Sequence, residues 1–161
     1  MQERIEIYCD GASRGNGSAN AIGAWGYTMS YKGKVKEDAK AIKGITNNQG
    51  ELMANIEALK AIKTTHIPIN IYVDSAYVLN GITSWIYSWK VKGWINSKKQ
   101  PVENKELWME LDELRNRQSQ VNFIKVKGHS TNVGNNRADE LCNLAMNELE
   151  DEIWLENKGW A

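Results

Sequence analysis

The alternation of apolar and polar residues along the chain predicts five β-strands. In the first, Arg4–Cys9, the side chains of Ile5 and Ile7 fall on one face and the polar residues between them on the other. The other predicted strands are Ile22–Tyr31, Val35–Ile45, Ile69–Val73 and Val121–Val126, with a hairpin turn at Lys32–Lys34. Residues 10–20 are rich in Gly, Ser and Asn, which predicts a loop and places Asp10 at the end of the first strand.

Apolar residues that recur every three or four positions predict helices between these strands. The first helix, Gln49–Lys63, carries four such residues on one face: Leu52, Ile56, Leu59 and Ile62. The remaining candidate boundaries are helix breaks at Gly81 and Gly93, an N-cap at Asn104, and a last helix that opens at Asn135 or Asn136. The resulting order, β-β-β-α-β-α-α-β-α, predicts an α/β fold with one mixed sheet, three antiparallel strands first and then strands separated by helices.

The length of 161 residues fits one domain, residues 1–161, with a sizeable core. No repeat, linker or low-complexity segment divides the chain. There is no signal peptide and no apolar run long enough to span a membrane, which favours a cytoplasmic protein. Cys9 and Cys142 lack metal-ligand spacing, so we expect two reduced, buried thiols.

The charges balance overall but are unevenly distributed. The chain has 20 basic and 20 acidic residues, and a net charge of zero argues weakly against a nucleic-acid partner. From Trp85 to Lys105, however, there are five lysines and one acid, whereas Arg137–Ala161 holds seven acids and two bases. The basic middle therefore suits a polyanion, and the acidic tail from about Glu150 is compatible with either a packed helix or a mobile arm.

Four acidic residues stand where the chain passes from one predicted element to the next. Asp10 and Asp74 follow strands, and Glu51 and Asp139 lie near helix starts. Carboxylates that gather in this way repel one another unless a cation lies between them. With no histidine or cysteine cluster nearby, the suitable cation is Mg²⁺, or Mn²⁺ in its place. The alternative is that these acids are solvated surface charges or only cap strand ends.

The order of elements and the local motifs resemble ribonuclease HI, the type 1 ribonuclease H family, from Ile5 to about Leu149. The matching stretches are Asp10-Gly11 with Gly15-Asn16, Thr46–Asn48 with Glu51-Leu52, Asp74-Ser75 with Tyr77-Val78, Gly81–Thr83 with Trp85, Trp89-Lys90 with Gly93-Trp94, Val126–His129, and Asn135 with Arg137 and Asp139–Leu141. The resemblance implies a ribonuclease H-like fold, a five-stranded mixed sheet flanked by helices. It also implies a monomeric endonuclease that hydrolyses the RNA strand of RNA–DNA hybrids and leaves 5′-phosphate and 3′-hydroxyl ends.

The same resemblance implies roles for the four carboxylates. Phosphodiester hydrolysis needs a nucleophilic water and a stabilised leaving oxygen, which two divalent ions about 3.5–4 Å apart provide. Asp10 would bridge two Mg²⁺ ions, Glu51 and Asp74 would complete one site, and Asp139 the other. His129 matches a flexible loop and would handle protons or product release, unless it is only a loop residue.

Residues that match the family's substrate contacts flank these acids. Asn16, Asn48 and Glu51 would touch 2′-hydroxyl groups, while Thr46 and Asn16 would grip a phosphate of the DNA strand. Alternatively, Asn48 is a helix N-cap, and Thr46 and Asn16 are ordinary turn residues. A basic protrusion with interleaved tryptophans would hold the DNA strand. The candidate contacts there are Trp85, Trp89, Lys90, Lys92, Trp94, Lys98 and Lys99, and Asn135 is a further candidate; Trp89 also suits a core position.

The chain departs from the family pattern at three substrate-facing positions. Gly17, Gly44 and Ala76 stand where proline, a basic residue and glutamine are frequent, which affects expected substrate contacts more than chemistry. Two other functions remain open at this point. A recombinase or transposase core usually carries three carboxylates and further DNA-binding domains, and a non-hydrolysing hybrid-binding protein would not need the four acids.

Overall fold

The computed structural model describes residues 3–15, 17–127 and 132–160. Its strands form one five-stranded sheet in the order β3-β2-β1-β4-β5. β1–β2 and β2–β3 are antiparallel, and β1–β4 and β4–β5 are parallel, which confirms the predicted mixed sheet. The strands are β1 Ile5–Arg14, β2 Ile22–Tyr31, β3 Lys34–Lys43, β4 Ile69–Val73 and β5 Val121–Lys125.

Helices cover both faces of this sheet, and the strand alternation separates two apolar clusters. The helices are α1 Asn47–Lys60, α2 Ala76–Asn80, α3 Ile86–Val91, α4 Lys105–Asn116 and α5 Val133–Asn157. On β2, Trp25 and Tyr27 join the large core built with α1 and α4. Ile22 and Ala24, which point to the opposite face, join a smaller cluster under α5. Within the described ranges, no helix is both long and apolar enough to cross a lipid bilayer.

β1 is longer than predicted, so Asp10 lies inside the strand and not at its end. Asp10 pairs with Gly26, and the pairing continues as far as Arg14 opposite Ile22. The glycine at position 11 signals a close approach here instead of a turn. A Cβ atom on Gly11 would lie 2.3 Å from the backbone nitrogen of Glu51, which only glycine avoids.

The predicted helix break at Gly81 is wrong, whereas the break at Gly93 is confirmed. α2 runs through a π-helical turn, Gly81–Trp85, directly into α3. Gly81 is required by packing, since a Cβ atom there would lie 2.0 Å from the ring of Trp108. Gly93 follows the end of α3 with φ +71°, the left-handed conformation in which helices commonly end.

The helix caps also differ from those predicted. Thr46, not Asn48, caps α1. Its hydroxyl accepts from the backbone N–H of Gln49, and the side-chain oxygen of Gln49 accepts from the backbone N–H of Thr46. α5 begins at Val133 with Asn132 as its cap, two to three residues earlier than expected. Asn104 does precede α4, but its side chain makes no cap bond and instead donates to the hydroxyl of Tyr77.

Candidate active site

A polar cleft of about 270 Å³ brings together all four predicted carboxylates. Its described lining residues are Asp10–Ser13, Asn47, Glu51, Asp74, Asn135, Asn136 and Asp139. None of these is basic, so the described part of the cleft concentrates negative charge without a compensating cation.

Three secondary-structure elements converge to place the central acids. Asp10 lies in the middle strand, and Asp74 occupies the single position between the end of β4 and Ser75, the cap of α2. Glu51 lies on α1, which the glycines at 11 and 50 allow to press against β1 and β2. As a result, one carboxylate oxygen from each of Asp10, Glu51 and Asp74 lies within 4.8 Å of the others.

Burial and mutual repulsion make these acids hard to ionise. Asp10 and Glu51 are only 5% and 4% exposed. Burial, with the charge of Asp74 as the next cause, raises the pKa of Asp10 to about 7, although the backbone N–H of Gly11 donates to its carboxylate at 3.0 Å. Burial and the charges of Asp10 and Asp74 raise the pKa of Glu51 well above its ordinary value. The cluster is therefore under electrostatic stress that a cation would relieve.

The donor set fits a hard divalent cation. Oε2 of Glu51 is buried and has no hydrogen-bond partner among the described residues. A buried polar oxygen left unpaired costs free energy, and it is a ready ligand for an ion that prefers oxygen. The structure thus brings three carboxylates together, one of which has a buried oxygen without a hydrogen-bond partner among the described residues. This donor set suits Mg²⁺ or Mn²⁺.

Asp139 reaches the same cleft from the opposite face of the sheet. It lies in the second turn of α5 and is half-buried. Its charge contributes to the raised pKa of Asp10, yet it is not among the acids whose oxygens lie within 4.8 Å. Asp139 is therefore near the cluster but separate from its centre. Asn135, one turn earlier, is 2% exposed, and its Oδ1 also lacks a partner among the described residues.

The two cysteines lie below this cleft and are unpaired and buried. Cys142 Sγ donates to the carbonyl oxygen of Asp10 at 3.5 Å. Burial, followed by the charges of neighbouring acids, raises the pKa of both thiols. They are packing residues without nucleophilic character.

In the basic protrusion, residues 85–105, some side chains pack on the core and others are exposed to solvent. Trp85 is 41% exposed, whereas Trp89 and Trp94 pack against the core. Lys90 Nζ lies 2.8 Å from Oδ2 of Asp112, a buried acid on α4 that sequence reasoning missed. On the protrusion, the exposed lysines that make no ion pair within the described residues are Lys92, Lys98 and Lys99.

Of the remaining predicted substrate contacts, some lie within the described residues and others do not. Thr46 is exposed and Asn48 half-buried at the start of α1, beside the cleft residue Asn47. Asn16 and His129 lie outside the described residues, so their predicted roles stay predictions. Asn47 was missed by the sequence reasoning, although its position between Thr46 and Asn48 in the same motif was a usable signal.

Comparisons with known proteins agree with this architecture. The family model for RNase H matches residues 2–147. Ribonuclease H of Clostridium botulinum is 50% identical over 148 residues, which cover 91% of this chain and 98% of the relative. Ribonuclease H of Francisella tularensis subsp. novicida is 47% identical over 148 residues, with 92% and 94% covered. The crystal structure of LC9-RNase H1, a type 1 RNase H with the type 2 active-site motif, is similar with a TM-score of 0.79 and 28% identity, over 90% of this chain and 72% of that one.

These matches extend over nearly all of the sheet and its helices, and they confirm the resemblance that the sequence motifs carried. The family match also displaces the recombinase and transposase interpretation. The chain belongs to the ribonuclease H family and is an enzyme, an endonuclease of the hydrolase class.

Proposed function

We propose that this enzyme hydrolyses the RNA strand of RNA–DNA hybrids at the carboxylate cleft and leaves 5′-phosphate and 3′-hydroxyl ends. The observation that carries the proposal is the convergence of Asp10, Glu51 and Asp74 within 4.8 Å, where a buried oxygen of Glu51 has no hydrogen-bond partner among the described residues. Family membership supports the same activity.

The cofactor in this proposal is Mg²⁺, two ions per site, with Mn²⁺ as a substitute. Asp10, Glu51 and Asp74 would hold the ions at the centre, and Asp139 would supply a ligand from α5. Bound there, the ions would lower the pKa of an attacking water and stabilise negative charge on the leaving oxygen.

The protein would hold the carboxylates in their ionised form at a buried position, where that form is unfavourable without a cation. The N–H of Gly11 fixes one oxygen of Asp10, and the buried strand leaves that side chain little freedom. His129 would carry a proton to or from the reacting groups or assist product release.

Selectivity for the hybrid would come from two surfaces beside the cleft. Thr46 and Asn48, at the start of α1, are neutral hydrogen-bonding side chains suited to a phosphate and a 2′-hydroxyl group, and Asn16 and Asn135 would add contacts. On the protrusion, the exposed face of Trp85 would pack on the DNA strand while lysines track its phosphates. Trp89 and Trp94 would support that surface. Lys92, Lys98 and Lys99, which have no ion pair in the part of the chain that the structure describes, would take this role, and Lys90 would take part only by leaving Asp112.

A cleavage assay on uniform duplexes tests the proposal. Wild-type enzyme with Mg²⁺, and separately with Mn²⁺, should cut the RNA of a hybrid and leave double-stranded RNA and DNA intact. Asp74→Asn keeps the shape of the side chain but removes the charge that would hold the metal. We expect kcat to fall about a thousandfold, which corresponds to a loss of several kcal/mol of transition-state stabilisation. Hybrid binding, measured separately, should survive.

Two outcomes would contradict parts of this proposal. Binding of hybrid without cleavage under any metal condition would favour the non-hydrolysing alternative. Near wild-type cleavage by Asp74→Asn would show that the reaction takes place elsewhere on the protein. An Asp38→Asn variant serves as the matched control, because it removes the same charge from an exposed aspartate on β3 that lines neither the cleft nor another large groove.

A further inference from the structure

A second groove lies beyond the carboxylate cleft, at the far end of β1, β2 and β3. It has a volume of about 840 Å³, roughly three times the 270 Å³ of the cleft. Its walls are Arg14 and Gly15, residues 18–22, residues 43 and 44, and the last turns of α5. Two cations, Arg14 and Lys43, line it together with Glu150.

Strand register places both cations on one face. Arg14 is paired with Ile22, and Ile22 is paired with Lys43, so all three side chains point to the face that α5 covers. Two strand spacings separate the cations by about 10 Å at their Cα atoms. Along β1, Arg14 lies four residues beyond Asp10, about 13 Å away, so this groove is distinct from the cleft.

Acidic side chains from the end of α5 face these cations. Glu150 forms an ion pair with Arg14, and Glu156 lies 3.8 Å from Lys43. Asn147 Oδ1 also accepts from Arg14, at 2.9 Å. The family model ends at residue 147, so both acids belong to a segment that the family match does not include, residues 148–160, called here the C-terminal extension. It continues α5 as far as Asn157, with Ile153 packed on the small cluster.

These ion pairs are not buried anchors. The side chains of Lys43, Glu156 and Glu150 are 62%, 60% and 52% exposed, whereas that of Arg14 is 34% exposed and also donates to Asn143 and Asn147. An exposed pair such as Lys43–Glu156 contributes little to stability and is screened by salt, and the Arg14–Glu150 pair is open to solvent on the glutamate side. Another anion can therefore replace the glutamates, and the position of the cations indicates which one: Arg14 directly precedes Gly15-Asn16, and Lys43 lies three residues before Thr46.

We infer that Arg14 and Lys43 form an additional binding site for backbone phosphates of the nucleic acid, and that Glu150 and Glu156 compete with those phosphates for it. This inference rests on the proposed function, because it extends the surface on which Asn16 and Thr46 are proposed to hold a phosphate. The C-terminal extension thereby weakens binding of the hybrid without touching the carboxylate cleft.

Two charge-neutralising double variants of the full chain test the competition. Glu150→Gln with Glu156→Gln frees the cations, whereas Glu148→Gln with Asp151→Asn removes the same charge from exposed positions on α5 that make no ion pair within the described residues. The first should bind hybrid at least about threefold more tightly at low salt. Its log–log salt slope should steepen by about 0.9 for each additional phosphate that the protein binds. Equal effects of the two variants would overturn the inference, since only net charge would then matter.

The cations themselves provide the second arm. Arg14→Gln with Lys43→Gln should reverse the tighter binding in the Glu150→Gln, Glu156→Gln background, yet change binding little in the wild type. Unchanged binding in that background would overturn the inference. Thermal melts identify any variant that fails to fold. Binding is measured apart from cleavage. If the proposed reaction fails, the wild-type protein will bind hybrid without cutting it, and the affinities of the charge variants can still be compared.

Discussion

Two buried aspartates in this molecule have nearly equal exposure and opposite electrostatics. Asp10 is 5% exposed and Asp112 is 7% exposed. Burial raises the pKa of Asp10 to about 7, and the charge of Asp74 adds to the rise. Burial acts in the same direction on Asp112, but hydrogen bonds from Lys90 and Arg115 overcome it and lower the pKa of that carboxyl. Asp112 has two cationic partners, and these reverse the direction in which burial alone would move its pKa.

The partners of Asp112 satisfy both of its oxygens. Lys90 contacts Oδ2 at 2.8 Å, and Arg115 contacts Oδ1. Arg115 also donates to the carbonyl of Ile82 at 2.8 Å, inside the π-helical turn that leads to Trp85. Asp112 is thus a structural acid that joins α4 to the protrusion. Asp10 has acids for neighbours, and such unsatisfied charge is the usual mark of a site that awaits a ligand.

The largest expected effect that tests this comparison is stabilisation by Asp10→Asn. The folded pKa of about 7 lies above the unfolded value of about 3.9, so the native state loses stability as pH rises through that interval. Above pH 7 in EDTA, the variant should be more stable than wild type by up to about 4 kcal/mol. Thermal melts from pH 4 to pH 8 should show the advantage disappear towards pH 4.

Divalent cations should narrow this gap. Mg²⁺ that binds the folded wild type stabilises it by mass action and should do less for Asp10→Asn. Equal or lower stability of the variant at pH 8 in EDTA would mean that repulsion among Asp10, Glu51 and Asp74 is not significant.

Asp112→Asn should have the opposite sign. Removal of the charge leaves the half-buried Arg115, whose side chain is 14% exposed, without its counterion, and we expect a loss of stability of up to about 3 kcal/mol. Because the folded pKa of Asp112 is lowered, the ionised carboxylate stabilises the wild type fully near neutral pH and less as pH falls below about 4. The difference in free energy of unfolding between wild type and variant should therefore be largest near neutral pH and shrink below about pH 4. Urea unfolding measures it at both pH values.

A matched control lies on the same helix. Glu113 pairs with Arg117 at 2.7 Å, but both side chains are more than 60% exposed. Glu113→Gln should therefore cost well under 1 kcal/mol. Similar losses for the two variants would show that burial adds nothing to the Asp112 network.

Sequence patterns predicted the five strands because alternation records which side of a sheet each residue faces, whereas the order of the strands within the sheet comes from the structure. They placed Asp10 wrongly at a strand end, since a glycine at position 11 is equally consistent with a turn and with the close approach of α1. Asp112 gave only a weak local signal, since Arg115 follows three residues later on the same helix. Its other partner, Lys90, is 22 residues away and is brought to it by the tertiary structure. The distance between acids on β1, α1 and β4 likewise depends on tertiary contacts that no short motif encodes.

The smallest expected effect separates Lys90 from the other lysines of the protrusion. Lys90→Gln removes one of two cations from Asp112 while Arg115 remains, and the lysine side chain is 42% exposed, so we expect a loss of stability of about 1 kcal/mol or less. Its effect on the salt slope of hybrid binding should be smaller than that of Lys92→Gln, which should remove about 0.9 if Lys92 contacts a phosphate. Binding titrations at several salt concentrations, paired with urea unfolding, measure both quantities. A larger slope change for Lys90 than for Lys92, with no loss of stability, would place Lys90 on the nucleic acid and leave Asp112 dependent on Arg115 alone.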